Sequence, residues 1–238
     1  MDYSVEQFKK EATSKFNLDF LKLSRIPIDI GAYTFDSFSS LRLNHYLIKS
    51  NDSSEYNFGE IVKEDIEDFV KYTENKFAEL GIDVSNRYCF LTLDQGWVEP
   101  NATLRTDGWH IDGMQGDEVG VKVLPDIEVV WSDCLPTTFT RQGFDIEGMN
   151  PSIHNVFNWL GQQIDSTKLF KGEPYHTYLI NPYHAHTATK AIEKIYRKFI
   201  RLSYTQTPVT SVKMTVNPKI NYNYSYHVTS GEIPAYLK

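Results

Sequence analysis

The stretch Trp109-His110-Ile111-Asp112-Gly113 decides how this chain is interpreted, because it places an imidazole and a carboxylate one residue apart. Side chains alternate between the two faces of a β-strand, so His110 and Asp112 point the same way if this stretch is extended. A second histidine-containing stretch, Tyr183-His184-Ala185-His186-Thr187, follows much later. Two imidazoles and one carboxylate on one side of a metal ion leave its other positions open. The sequence therefore predicts a metal site formed by His110, Asp112 and a late histidine.

A His-x-Asp pair alone is a weak signal, and its context makes it more specific. After the long gap and the late histidine, Arg197 follows in a segment with the composition of a strand. This order of residues resembles the Fe(II)/2-oxoglutarate-dependent dioxygenases, and its spacing is nearest to their taurine-dioxygenase and phytanoyl-CoA-hydroxylase-like branches. The resemblance covers roughly residues 87–210. It implies a double-stranded β-helix (jelly-roll, cupin-like) core, with Fe(II) as the metal, 2-oxoglutarate as cosubstrate and O2 as oxidant.

The resemblance also implies roles for single residues. His110, Asp112 and His186 match the iron ligands that form the catalytic centre of the family. His186 is preferred as the third ligand because Arg197 follows it at the interval typical of the family. His184 remains the alternative, since it has the same parity along the chain.

Two arginines are candidates for binding the cosubstrate. Arg197, Phe199, Arg201 and Ser203 alternate along one face of a predicted strand. A buried guanidinium is costly unless it meets an anion, and its planar fork can hold a carboxylate through two hydrogen bonds. By resemblance Arg197 is the anchor of 2-oxoglutarate and Arg201 a second arginine nearby. The two roles can be exchanged, because Arg201-Leu202-Ser203 also resembles the Arg-x-Ser cosubstrate motif of another branch.

Composition and charge limit the class of protein. The chain has 238 residues, of which 41% are hydrophobic and 23% charged, and this is typical of a globular protein. We expect a single domain over residues 1–238. The net charge of −7 does not favour a partner with a phosphate backbone. Without a long apolar run or a basic N-terminal segment we expect a cytoplasmic protein that binds a small molecule and no membrane. Cys89 and Cys134 are expected to be buried free thiols.

The apolar periodicity predicts an α+β fold in which helices precede strands. Residues 1–86 are expected to be mainly helical support, residues 87–210 the jelly-roll core, and residues 211–238 a C-terminal strand and tail. The predicted helices are 5–16, 41–48, 61–80 and 152–164, the last one capped by Ser152. The predicted strands are 26–35, 87–96, 101–109, 119–124, 127–131, 176–182 and 198–204, with a further aromatic stripe formed by Ile220, Tyr222, Tyr224 and Tyr226.

The function implied by the resemblance is oxidation of an unactivated C–H bond, with release of succinate and CO2. The substrate is a small molecule or a residue of a biopolymer, and the sequence distinguishes hydroxylation neither from desaturation nor from cyclisation. One rival function is a cupin-like metal-dependent isomerase or hydrolase that does not use 2-oxoglutarate. The other is a jelly-roll binding module without catalysis. The sequence leaves the oligomeric state open.

Overall fold

The fold consists of two antiparallel β-sheets and three α-helices within the part of the chain that the computed structural model describes, which is residues 3–38, 40–59, 64–105, 107–112, 126–151, 153–207, 209 and 214–222. The helices are α1 (Val5–Thr13), α2 (Glu64–Leu80) and α3 (Val156–Gly161). Short 3-10 turns cover Leu18–Lys22 and Ser166–Lys168. The strands are β1 (Ile28–Ala32), β2 (Leu43–Lys49), β3 (Tyr88–Val98), β4 (Ile127–Ser132), β5 (Thr138–Thr140), β6 (Leu169–Lys171), β7 (His176–Ile180), β8 (His186–Thr187) and β9 (Ile195–Thr205). The predicted α+β class, with mostly antiparallel strands, is confirmed at this level.

The larger sheet has six strands in the order β1-β7-β4-β9-β3-β2, and the smaller one has the order β6-β5-β8. Strand β9 lies inside the larger sheet, between β4 and β3, and it pairs with β3 from Tyr88↔Thr205 to Val98↔Ile195. A central strand with neighbours on both sides has little freedom to shift its register. The position of Arg201 is therefore fixed between β3 and β4, whereas Arg197 lies beyond the pairing with β4 and is held by its register with β3, opposite Gly96.

The two faces of the larger sheet have different partners. Helices α1 and α2 cover one face through the main apolar cluster, to which α1 contributes Phe8 and α2 contributes Phe69 and Phe77. Alternate residues of β9, including Ile200 and Leu202, belong to the same cluster. On the opposite face the smaller sheet packs against the larger one through a second cluster of Val130, Phe139, Tyr178, Ile180 and Phe199. The intervening residues of β9, with both arginines, therefore lie on the side of the smaller sheet.

The predicted helix over residues 41–48 is wrong, because this segment is strand β2. Tyr46 and Ile48 are buried in the main cluster, while Leu47 packs against Phe90 and Met214 on the other side. A strand that buries both faces has no alternation of polar and apolar residues, so its apolar spacing can imitate that of a helix. Residues 1–86 thus contribute strands β1 and β2 to the larger sheet as well as two helices.

The stretch before the His-x-Asp pair also differs from the prediction. The described residues of 101–109 form turns and irregular structure, and His110 makes only an isolated bridge with His186. The expected alternation along a strand therefore does not explain why His110 and Asp112 come together. Helix α3 is capped by Asn155, whose side chain accepts a hydrogen bond from the backbone of Asn158. This cap differs from the predicted Ser152, which lies outside the described residues.

Several smaller predictions have mixed outcomes. Cys89 is buried and free as expected, whereas Cys134 is free but only half-buried. The predicted strand over residues 119–124 and the tyrosines at 224 and 226 lie outside the described residues. Ile220 and Tyr222 are in irregular structure and pack with the cluster around Phe90. None of the helices in the described ranges is long and apolar enough to cross a membrane.

Candidate metal centre

Three of the predicted site residues converge beside the smaller sheet. The backbones of His110 and His186 exchange two hydrogen bonds, of 3.0 and 2.9 Å, and their ring centroids lie 4.4 Å apart. The Oδ2 atom of Asp112 lies 3.4 Å from Nε2 of His186. Each of the three residues offers one ligand atom within 4.8 Å of the others, and His186 is buried while the other two are half-buried. This spacing allows one metal ion to contact all three residues.

Backbone carbonyl groups orient both imidazoles. Nδ1 of His110 lies 2.9 Å from the carbonyl oxygen of Gly108, and Nδ1 of His186 lies 2.8 Å from that of His184. A carbonyl oxygen can only accept a hydrogen bond, so each Nδ1 donates and carries the ring proton. The lone pair of each ring is then on Nε2. Metal-ligating histidines are usually held by such a bond from their other nitrogen.

The surroundings keep Asp112 and His186 in their metal-binding forms. Burial raises the pKa of Asp112, but the nearby His186 and Arg201 outweigh burial and hold this pKa well below its usual range. Burial lowers the pKa of His186 to about 4, although the adjacent Asp112 acts in the opposite direction. Near neutral pH the site therefore offers an ionised carboxylate and a neutral imidazole.

The other two late histidines have different partners. His184 is buried, with Nδ1 2.9 Å from the side-chain oxygen of Asn181 and Nε2 3.2 Å from the carbonyl of Ile26. His176 lies at the surface, where its Nδ1 is 2.8 Å from a carboxylate oxygen of Asp29. Within the described ranges, His186 is therefore the late histidine that joins His110 and Asp112.

Arg201 is the direct neighbour of the candidate metal carboxylate. Its Nη1 atom donates to Oδ1 of Asp112 over 3.2 Å and lies 3.5 Å from a carboxylate oxygen of Glu128. Its Nη2 atom lies 2.9 Å from Nε2 of His45. Burial lowers the pKa of Arg201, but Glu128 and Asp112 more than compensate and raise it. The guanidinium of Arg201 thus already has an anionic partner from the protein itself, the carboxylate of Asp112.

Arg197 has a different environment. It is 2% exposed, and its Nε atom donates to the carbonyl of Cys134 over 3.2 Å. Its guanidinium lies 5.0 Å from the ring centroid of Phe199. No carboxylate of the described residues lies within 4.0 Å of it, and burial lowers its pKa to about 10. A buried guanidinium without an ion-pair partner is costly, and an anionic ligand removes that cost.

His45 and Glu128 were missed by sequence reasoning, and a third neighbour of the site, Arg105, was suggested only by its proximity along the chain to His110. His45 contacts Arg201, Glu128 contacts Arg201 from the neighbouring strand β4, and the Arg105 guanidinium lies 4.9 Å from the ring centroid of Phe199. Burial raises the pKa of Glu128 well above its usual range. A single acidic residue in the apolar run 127–131 was a usable signal for Glu128, because an unpaired charge is rarely placed in a buried strand.

Comparisons with known proteins leave the family open. No family model matches the chain, and no curated protein matches its sequence. Among solved structures, the crystal structure of EvdMO1 is similar to this chain with a TM-score of 0.40 and 12% sequence identity. The similarity covers 81% of this chain and 49% of the other, so this chain spans about half the length of EvdMO1. A similarity at this level assigns neither a family nor an activity.

Proposed function

We propose that this chain is an Fe(II)- and 2-oxoglutarate-dependent oxygenase that hydroxylates an unactivated C–H bond of a small molecule and releases succinate and CO2. The observation that carries the proposal is the convergence of His110, Asp112 and His186 within 4.8 Å of one another. Two imidazole nitrogens and one carboxylate are the donor set of non-haem Fe(II) oxygenases.

The chemistry of the three side chains fits a divalent iron ion. Both Nε2 atoms carry lone pairs because the Nδ1 atoms are held by backbone carbonyls. The carboxylate of Asp112 supplies one negative charge and so partly neutralises the ion. A protein that provides three ligands leaves further positions for a bidentate cosubstrate and for O2. Bound Fe(II) would supply the activation of O2, while the residues of this chain hold and orient the reactants.

Arg197 is the proposed anchor of 2-oxoglutarate, whose far carboxylate would meet its guanidinium. Arg197 and Arg201 occupy the same face of β9, but only Arg201 has carboxyl partners in the described structure. A guanidinium that has no counter-ion among the described residues is the better binding group for an anionic cosubstrate, to which it would donate. Arg201 is assigned instead to the carboxylate of Asp112. The packing of a smaller antiparallel sheet against a larger one is compatible with the double-stranded β-helix that this function implies.

The test is the visible charge-transfer band that forms when 2-oxoglutarate chelates Fe(II) in the absence of oxygen. We expect wild-type protein to show the band, and to form succinate and CO2 when O2 is admitted. His110→Ala should lose the band, because one of the three protein ligands is removed. The matched control is His176→Ala, which removes a surface histidine paired with Asp29 and should keep the band.

The other outcomes distinguish the rival functions. Stoichiometric metal binding without the band and without succinate would favour a metal-dependent isomerase or hydrolase. Absence of stoichiometric metal in the wild type would favour a binding module. A His110→Ala variant that retains the band at full intensity would refute the assignment of this centre.

A further inference from the structure

His45 occupies an irregular position in β2 that brings it to the metal centre. The pairing of β2 with β3 is interrupted between Leu43 and Tyr46, and His45 has a φ of +47°. A non-glycine residue in this region is strained unless the surrounding structure holds it there, and such residues are concentrated at functional sites. Here the backbone N–H of His45 donates to Oγ1 of Thr92 over 3.3 Å. The bulge therefore has a defined structure and places one imidazole next to β9.

The imidazole of His45 is the neutral acceptor of the Arg201 guanidinium. A guanidinium has only N–H donors, so in the 2.9 Å contact Nη2 of Arg201 donates and Nε2 of His45 accepts. The same guanidinium donates through Nη1 to Oδ1 of Asp112 over 3.2 Å. Two consecutive hydrogen bonds thus connect His45 to one oxygen of a candidate metal ligand. The other oxygen, Oδ2, is the one that lies 3.4 Å from Nε2 of His186.

We propose that His45 is a positioning residue of the metal centre. By accepting a hydrogen bond from Nη2, it keeps Arg201 on Oδ1 of Asp112 and so leaves Oδ2 for the metal ion. This inference rests on the proposed function, because it takes Asp112 as a metal ligand.

Because the carboxyl group of Glu128 also lies beside the guanidinium of Arg201, the hydrogen bond to His45 is needed to keep Arg201 on Asp112. One carboxyl oxygen of Glu128, Oε2, is buried and has no hydrogen-bond partner in the described structure, and it lies 3.5 Å from Nη1 of Arg201. The guanidinium is therefore shared between two carboxyl groups, and only Asp112 is a candidate ligand. Without the acceptor at His45, a turn of Arg201 towards Glu128 would release Oδ1 of Asp112. Residues that orient metal ligands in this way typically affect metal affinity by about 10–100-fold.

The experiment measures binding of Mn(II), added as the probe to the metal-free protein, by electron paramagnetic resonance. His45→Ala should weaken Mn(II) binding by about 10-fold, because it removes the acceptor of Arg201. His45→Gln should restore most of the affinity, because the amide oxygen of glutamine can accept the same hydrogen bond. His176→Ala should bind Mn(II) like the wild type. At saturating Fe(II) and 2-oxoglutarate, the charge-transfer band of His45→Ala should also be shifted from that of the wild type.

Circular dichroism of the metal-free protein checks that His45→Ala is folded. Arg201→Lys provides a second test, which does not depend on the folding of His45→Ala. One ammonium group cannot reach both His45 and Asp112 as the planar guanidinium does, so this variant should also lose Mn(II) affinity. The inference is overturned by unchanged Mn(II) affinity in His45→Ala or Arg201→Lys, or by a His45→Gln variant as weak as His45→Ala. Failure of the wild type to bind Mn(II) stoichiometrically would instead overturn the proposed function, and the inference with it.

Discussion

Arg197 and Arg201 show that two arginines on the same face of one strand can have different electrostatic environments. Arg201 lies within 3.5 Å of two carboxyl groups, whereas Arg197 has a backbone carbonyl and an aromatic ring as its neighbours. The difference lies in the groups that other segments of the fold place beside each guanidinium. The sequence predicted both as candidates for one anion and could not distinguish their roles, because the partners come from distant segments.

This difference leads to a prediction for Arg197. Arg197→Ala should raise the KM for 2-oxoglutarate on the order of 100-fold, since a buried charge pair that loses one partner costs about 2–5 kcal/mol. Arg197→Lys should recover only part of the loss, because an ammonium does not bind a carboxylate bidentately. The measurement is succinate formation as a function of 2-oxoglutarate concentration.

Arg141→Ala is the matched control, since Arg141 is exposed and its guanidinium lies over Phe170, 5.2 Å from the ring centroid. Its KM should stay at the wild-type value. An Arg197→Ala variant with a normal KM would show that the cosubstrate is anchored elsewhere.

The prediction of single residues from the sequence was best where a motif carries chemistry. His110, Asp112 and His186 were selected by residue type and order along the chain, and the structure brings these three together. Their role as ligands stays a prediction. His45 could not be found in this way, because its place in the site depends on a β-bulge and on a partner 156 residues away in the sequence. A strained φ and a long-range contact leave no pattern in the local sequence.

At the scale of elements, helix α1 is connected to the segment that carries His186. Glu11 of α1 is fully buried and accepts hydrogen bonds from Tyr3 over 2.7 Å and from the side chain of Asn181 over 2.8 Å. It also forms an ion pair with Arg25 at 3.0 Å. Asn181 in turn contacts His184, two residues before His186. The amphipathic pattern predicted the helix, but a buried glutamate with three partners from separate segments is a tertiary feature.

We predict that Glu11→Ala lowers the free energy of unfolding by about 3–5 kcal/mol, because it leaves the buried guanidinium of Arg25 without its carboxylate. Glu6→Ala is the matched control on the same helix. Glu6 is 82% exposed at its side chain and pairs with Lys9, so its replacement should cost less than about 1 kcal/mol. Urea denaturation followed by circular dichroism measures both. If Glu11→Ala and Glu6→Ala lose equal stability, the buried hydrogen bonds and ion pair of Glu11 do not stabilise the packing of α1.

At the scale of the whole molecule, the two faces of the larger sheet have different roles. Its one face packs on α1 and α2 and forms the main apolar core, while the other face carries the candidate metal centre under the smaller sheet. The order of helices and strands predicted an α+β fold, because local periodicity reports which segments are helical. It could not predict that β2 belongs to the sheet, since a strand buried on both faces lacks the polar alternation that identifies strands.

One buried carboxyl group, that of Asp126, should make the stability of the whole molecule depend on pH. Asp126, directly before β4, is 9% exposed and its Oδ1 atom has no hydrogen-bond partner in the described structure. Burial raises its pKa from 3.8 to about 7, although Arg87 acts in the opposite direction. The folded protein therefore binds this proton more tightly than the unfolded chain does. The associated stability is fully present below pH 3.8 and is lost as the pH rises through 7.

Asp126→Asn should remove this dependence, because an amide keeps a similar shape without acquiring a charge. Each pKa unit corresponds to about 1.4 kcal/mol, so the variant should gain about 3 kcal/mol of stability relative to the wild type between pH 5 and pH 8. The measurement is urea denaturation of the metal-free proteins across this range. Asp68→Asn is the control, because it replaces a carboxylate that is 56% exposed at its side chain and should change the stability by less than about 1 kcal/mol across this range. A difference between Asp126→Asn and the wild type that stays constant with pH would mean that Asp126 titrates at an ordinary pKa, and it would contradict this prediction.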